Sequence, residues 1–158
     1  MHDSHLSLTL ASLDDTAKLA ERFASLLEAG DVLLLEGDIG MGKSFFARTL
    51  IQSAQDEPED VPSPTFTIVQ TYDSRLGEIW HTDLYRLGGP DDIIELGLLE
   101  AFDTAICLVE WPDKLQDLAP KSALTLSLSQ GSQEDARDVD LRWSDPKWDD
   151  RLKAVIHA

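Results

Sequence analysis

Eight consecutive residues, Gly37-Asp38-Ile39-Gly40-Met41-Gly42-Lys43-Ser44, carry the spacing G-x-x-x-x-G-K-[ST]. These residue types suit a polyphosphate. Glycines let the backbone curl until successive N–H groups aim at phosphate oxygens. The lysine brings an ammonium to the β- and γ-phosphates, and the serine hydroxyl is a hard oxygen donor for Mg²⁺. Residues Gly37 through Phe45 are therefore the expected cradle of a nucleoside triphosphate, with ATP and Mg²⁺ as ligands and release of the γ-phosphate as the chemistry. A site of this kind also needs a carboxylate at a strand end. Glu110 follows the apolar run Ile106-Cys107-Leu108-Val109, the usual form of a Walker B strand, and Asp83 follows Ile79-Trp80-His81-Thr82. Either acid can hold the metal, directly or through water, while the other orients the attacking water.

Three more positions bear on the site. Val61-Pro62-Ser63-Pro64-Thr65-Phe66-Thr67 joins the helix after the loop to the next strand, where P-loop switch proteins carry a threonine that closes onto Mg²⁺. The prolines single out Thr65 at a loop-to-strand boundary, with Thr67, on the same side of an extended chain, as the fallback. Trp111 next to Glu110 either stacks on a base and caps the pocket or packs against Pro112. His81 has no serine or cysteine partner in view, which makes it a packed or hydrogen-bonded residue rather than a base.

The elements that must position these groups are legible in outline. Leu6, Leu8 and Leu10 alternate with polar residues as in a strand. Ser12 with Asp15 three residues on is a helix start, and Leu19, Phe23, Leu26 and Leu27 form the apolar face of a helix ending near Gly30. Residues 31–36 are a buried parallel strand, 37–42 a loop and 44–53 a helix. Residues 55–64 form an irregular acidic loop. Strands are expected over 66–72 and 78–83, joined by a hairpin connection over 71–77. A helix over 91–102 turns Ile94, Leu98 and Leu99 inward, and a second buried strand spans 106–109. Strands over 123–128 and 139–143 flank a polar turn, and Pro146 opens a last helix through Val155. The expected architecture is a single α/β domain over residues 1–158, a mixed central sheet flanked by helices in the P-loop manner, with the chain after about 144 peripheral. Trp80, Trp143 and Trp148 are assigned to packing.

Bulk properties exclude several functions. The chain of 158 residues carries 13 Lys+Arg against 30 Asp+Glu, a net charge of −17. Such a surface repels a phosphate backbone, so protein partners and small ligands are expected rather than direct binding of nucleic acid. The single cysteine, Cys107, lies in a strand-like apolar run and reads as a buried small hydrophobe. Met1-His2-Asp3-Ser4-His5 has no leader signature, and no stretch approaches the roughly 18 apolar residues of a membrane helix. A cytoplasmic protein without membrane contact is expected.

Beyond these readings, four segments resemble a known family. Leu35-Glu36-Gly37-Asp38-Ile39-Gly40-Met41-Gly42-Lys43-Ser44, Ser63-Pro64-Thr65-Phe66, His81-Thr82-Asp83-Leu84-Tyr85-Arg86-Leu87 and Val109-Glu110-Trp111 occur in the order and spacing of TsaE, also called YjeE. The resemblance extends over about residues 8–130. It implies an ATPase subunit of the bacterial tRNA threonylcarbamoyladenosine (t6A) machinery. Such a subunit acts through a TsaB–TsaD-like partner complex, touches tRNA only through that complex, and is not itself the transferase. It further implies that Lys43 and Ser44 bind phosphate and metal, that Thr65 is a switch threonine and that Asp83 acts on water. Glu110 is then the Walker B ligand, and Trp111 lies beside the nucleotide. Ser44 stands where many members have threonine, with the same hydroxyl. The tail from Ser132 is more acidic and less patterned than the family's.

Two other classes share the loop. A small-molecule or nucleoside kinase should carry an arginine-dense lid, whereas Arg75, Arg86, Arg137, Arg142 and Arg151 are scattered. A nucleotide-dependent binding switch without appreciable turnover uses the same parts and is separated only by measuring phosphate release. The N-K-x-D pattern of guanine readers does not occur.

Overall fold

The computed structural model describes residues 3–156. The reading of Met1 and His2 therefore lies outside the described residues. Seven strands form one mixed sheet in the order β1-β7-β6-β2-β5-β4-β3. The strands are β1 (Ser4–Leu10), β2 (Val32–Glu36), β3 (Val69–Ser74), β4 (Gly77–Asp83), β5 (Ile106–Glu110), β6 (Leu124–Gln130) and β7 (Arg137–Trp143). The central strands β6, β2, β5 and β4 run parallel, and β1, β7 and β3 add antiparallel edges. Val32, Leu33, Leu34 and Leu35 are all buried, as a strand covered on both faces requires.

Helices fill both faces. On one side α1 (Leu13–Ala24), α2 (Lys43–Ser53) and α5 (Lys147–Ile156) pack on Leu33, Leu35, Ile106 and Leu108. On the other, α3 (Pro90–Glu95), α4 (Leu98–Thr104) and a 3₁₀ segment, Pro112–Leu118, cover Val32, Leu34, Cys107 and Val109. Burial pushes the Cys107 thiol up to about 12, so it is an inert packing group. Ser12 caps α1 by accepting the Asp15 N–H at 3.2 Å, while the Asp15 carboxylate accepts the Ala11 N–H at 3.0 Å. Among the described residues no helix is long and apolar enough to cross a membrane.

Several expectations are corrected. Helix α1 stops at Ala24 rather than near Gly30, because the Ser25 hydroxyl takes the Arg22 carbonyl at 2.6 Å and competes with the next helical bond. The strand expected from residue 66 begins at Val69, since Pro64 to Thr67 form a turn closed by Ile68 N–H to Pro64 O at 2.7 Å, with Ile68 at φ 69°. The hairpin is tighter than expected, for pairing runs to Ser74 opposite Gly77. The helix over 91–102 is two helices, broken where Gly97 takes φ 78°. That break resets the helical phase: Ile93 is buried, whereas Ile94 is 50% exposed instead of inward. The segment after 144 is not peripheral. Trp148, Leu152 and Val155 of α5 belong to the main core.

Candidate functional site

The glycine-rich loop leaves the end of β2 and enters α2. Gly37 is required twice over: its φ is +147°, and a Cβ there would lie 2.6 Å from the Leu128 carbonyl oxygen. Gly42, at φ 102°, is the N-cap of α2 and supplies no side-chain cap. The first-turn amides of α2 thus keep the free donors and positive dipole end that every helix start presents. From β7, Arg137 Nε donates to Met41 O at 3.0 Å and braces the loop from behind.

Lys43 is 5% exposed. Its Nζ donates to Gly37 O and, at 3.2 Å, to Asp38 O, and sits 4.0 Å from the centre of the Trp111 ring. Burial pushes the lysine below its ordinary range, while Glu110, Asp83 and Asp38 hold it up.

The two acids come from neighbouring parallel strands. Asp83 ends β4 and Glu110 ends β5, and they are register partners. Side-chain alternation turns both toward α2. Glu110 is 3% exposed and accepts from Ser44 Oγ, whose contacts to Oε2 and Oε1 measure 2.9 and 3.1 Å. The His81 ring nitrogen Nε2 lies 2.7 Å from Glu110 Oε2. Asp83 is 6% exposed and accepts the Tyr85 N–H at 3.0 Å. Burial raises its carboxyl above the ordinary aspartate range, against the lowering pull of the Tyr85 N–H, His81 and Lys43.

Thr65 reaches the site through Ser63. The Ser63 hydroxyl lies 2.9 Å from Thr65 Oγ1 and 3.2 Å from Ser44 Oγ. Thr67 is exposed and outside this chain of hydroxyls, because the turn before β3 abolishes the alternation that would align it. Trp111 occupies the left-handed region at φ 57° and ψ 55°, a conformation costing about 1–2 kcal/mol. It tilts against Tyr85 with centroids 4.9 Å apart.

Ile39, Gly40, Gly42, Lys43, Ser44, Phe45, Thr65, Asp83, Glu110 and Trp111 line one cavity of about 410 Å³. Gly37, Asp38 and Met41 line a neighbouring one of about 440 Å³, with Trp111 shared between the two. Every loop residue proposed from sequence therefore borders one of two adjoining cavities. Ser63, Tyr85 and the His81–Glu110 bond were not expected; only their places beside Thr65 and Asp83 in the chain hinted at them. Among the described residues no three His, Cys, Asp or Glu side chains form a ready-made metal cage. The donors present, a serine hydroxyl, a threonine and a carboxylate, are hard oxygens. They fit Mg²⁺, which is usually held by one or two carboxylates together with substrate phosphates.

A mixed sheet whose central parallel strand feeds a glycine-rich loop and a helix, with strand-end acids alongside, defines the P-loop class of α/β folds. The family model of the threonylcarbamoyl adenosine biosynthesis protein TsaE matches residues 10–139. The chain is 40% identical to the tRNA threonylcarbamoyladenosine biosynthesis protein TsaE of Rickettsia bellii, over 75% of this chain and 83% of that one. It is 33% identical to the protein of the same name from Bacillus subtilis, over 80% and 78%. The crystal structure of Bacillus subtilis YdiB superposes with a TM-score of 0.80 at 25% identity, covering 99% of this chain and 97% of that one. The chain belongs to the TsaE family.

Proposed function

We propose that this chain is an ATP- and Mg²⁺-dependent P-loop ATPase that serves formation of threonylcarbamoyladenosine in tRNA through partner proteins resembling TsaB and TsaD. The observation that carries the proposal is the convergence of Lys43, Ser44, Asp83 and Glu110 on one cavity at the start of α2. Names of relatives from several bacteria support the pathway. The net charge of −17 supports work through protein partners that themselves hold the RNA.

In this reading the amides of residues 37–45 bind the phosphates, and Lys43 releases the Gly37 and Asp38 carbonyls to pair with phosphate oxygens. Ser44, Thr65 and Glu110 would hold Mg²⁺, and the ion would supply charge neutralisation at the β- and γ-phosphates. Asp83 accepts a hydrogen bond from the attacking water and aligns it with the γ-phosphate, and its raised proton affinity makes it a better base than an exposed aspartate. Trp111, beside Tyr85 between the two cavities, closes the site against solvent.

Two measurements test this. Calorimetry with ATP and ADP, with and without Mg²⁺, should show metal-dependent binding. Phosphate release should be slow for the chain alone and faster with TsaB- and TsaD-like partners. Binding without release in both settings would leave a switch rather than an ATPase; no binding at all would end the proposal.

A further inference from the structure

His81 lies wholly inside the protein, at 0% exposed, and has no task in the mechanism above. Its Nε2 is 2.7 Å from Glu110 Oε2. Its other ring nitrogen, Nδ1, is buried without a hydrogen-bond partner. Together these contacts assign the ring proton. A proton on Nδ1 would be a buried donor with nothing to receive it, whereas a proton on Nε2 meets a carboxylate oxygen. His81 is therefore the Nε2–H tautomer and donates to Glu110.

The consequence falls on the orientation of Glu110. The terminal torsion of a glutamate is broad, so its carboxylate plane is set by whatever it bonds to. Ser44 touches both oxygens, at 2.9 and 3.1 Å. His81 reaches Oε2 alone. The strand register makes the ring a fixed support: His81 is paired with Leu108, two residues before the Asp83–Glu110 pair and on the same face. Packed inside the sheet, the imidazole cannot follow the carboxylate if it turns.

We propose that His81 is a positioning residue for Glu110, its Nε2–H fixing the carboxylate so that Ser44 and Glu110 present their oxygens to one cation. This rests on the reading of Glu110 as a metal-binding acid. Partners that stand behind a metal ligand change metal affinity by about 10–100-fold.

The test separates metal-dependent from metal-independent binding. ADP affinity is measured by calorimetry in EDTA and across a Mg²⁺ titration, and Mn²⁺ binding in the presence of ADP is followed by electron paramagnetic resonance. His81→Gln places an amide N–H near the position of Nε2–H and should keep the Mg²⁺ response within about twofold. His81→Asn places its amide near Nδ1, away from Glu110. It should raise the Mg²⁺ concentration for half-maximal effect about tenfold, with ADP affinity in EDTA within about twofold. Thermal melting confirms that each variant folds, and His81→Leu replaces the Asn variant if that one does not. Equal Mg²⁺ responses in the Gln variant and its donor-lacking counterpart overturn the proposal, and so does a folded Gln variant with a tenfold loss. If the unmodified chain binds ADP with no Mg²⁺ enhancement, the metal reading of Glu110 fails and the inference falls with it.

Discussion

The two ends of the parallel strands around β2 treat buried carboxylates in opposite ways. Before the first residue of β2, Asp31 is 1% exposed and is clamped by Lys147 at 3.0 Å and Arg151 at 2.6 Å, both from α5. The Glu28 N–H donates to it at 2.8 Å as well. At the loop end, Glu110 and Asp83 are nearly as buried, yet among the described residues neither pairs with a lysine or arginine side chain. They keep a serine hydroxyl, a histidine ring and one backbone N–H. Lys43 stands nearby with its ammonium on two carbonyls. A buried charge whose partners are complete holds elements together. One left with partial partners in a cavity is poised for a ligand. The left-handed Trp111 lies at this incomplete end too, which is where backbone strain tends to collect.

The contrast can be broken most sharply at Asp83. Asp83→Asn should lower partner-stimulated phosphate release by about 10²–10⁴-fold. The same change should raise the melting temperature by about 2 °C. The sign follows from the folded carboxyl being held above its ordinary value of 3.8. The stabilising contribution of such a group is complete below the unfolded value and is lost as pH rises through the folded one, so at neutral pH the ionised form weighs against the fold. By the same shift, the acid limb of the rate profile should have its midpoint above 3.8 and vanish in the Asn variant. A variant that melts lower and keeps its turnover would place Asp83 with Asp31 as a structural acid.

Lys43→Ala should weaken Mg²⁺–ATP binding by roughly a hundredfold, the scale of losing charge-assisted bonds to phosphate, with little change in melting. Calorimetry and thermal scanning on one sample check both halves. The opposite profile is expected at the other end. Arg151→Ala should cost about 2–3 kcal/mol of stability, at the lower edge of breaking a buried pair because Lys147 remains. Its nucleotide affinity should stay within about twofold. If Arg151→Ala weakened nucleotide binding without lowering the melting temperature, the division between the two ends would be wrong.

How much of this was legible in the chain differs by feature. The loop was, because Gly37 to Ser44 are consecutive and their chemistry is local. The strand-end acids were, because an apolar run stopping at Glu110 or Asp83 marks the end of a buried strand. Thr65 is preferred over Thr67 because the prolines place it at a loop-to-strand boundary, but it lies inside the turn over 64–67 and the strand begins only at Val69. Its link through Ser63 to Ser44 is a tertiary contact that the boundary does not predict. The helix break was missed because Gly97 alone does not announce a left-handed residue. Trp148 was assigned to packing, but nothing nearby in the chain indicated that α5 would bring it into the main core.

The sequence by itself determined which groups could do chemistry and which elements would carry them, since motif spacing and apolar periodicity act within a few residues. Only the tertiary structure decided which groups meet. Ser44 bonds an acid 66 positions away, and His81 one 29 positions away. Arg151 reaches Asp31 across 120. Those meetings depend on the order and register of parallel strands joined by crossovers, and on where α5 docks. Such placements are set by packing over the whole core, and no local pattern encodes them.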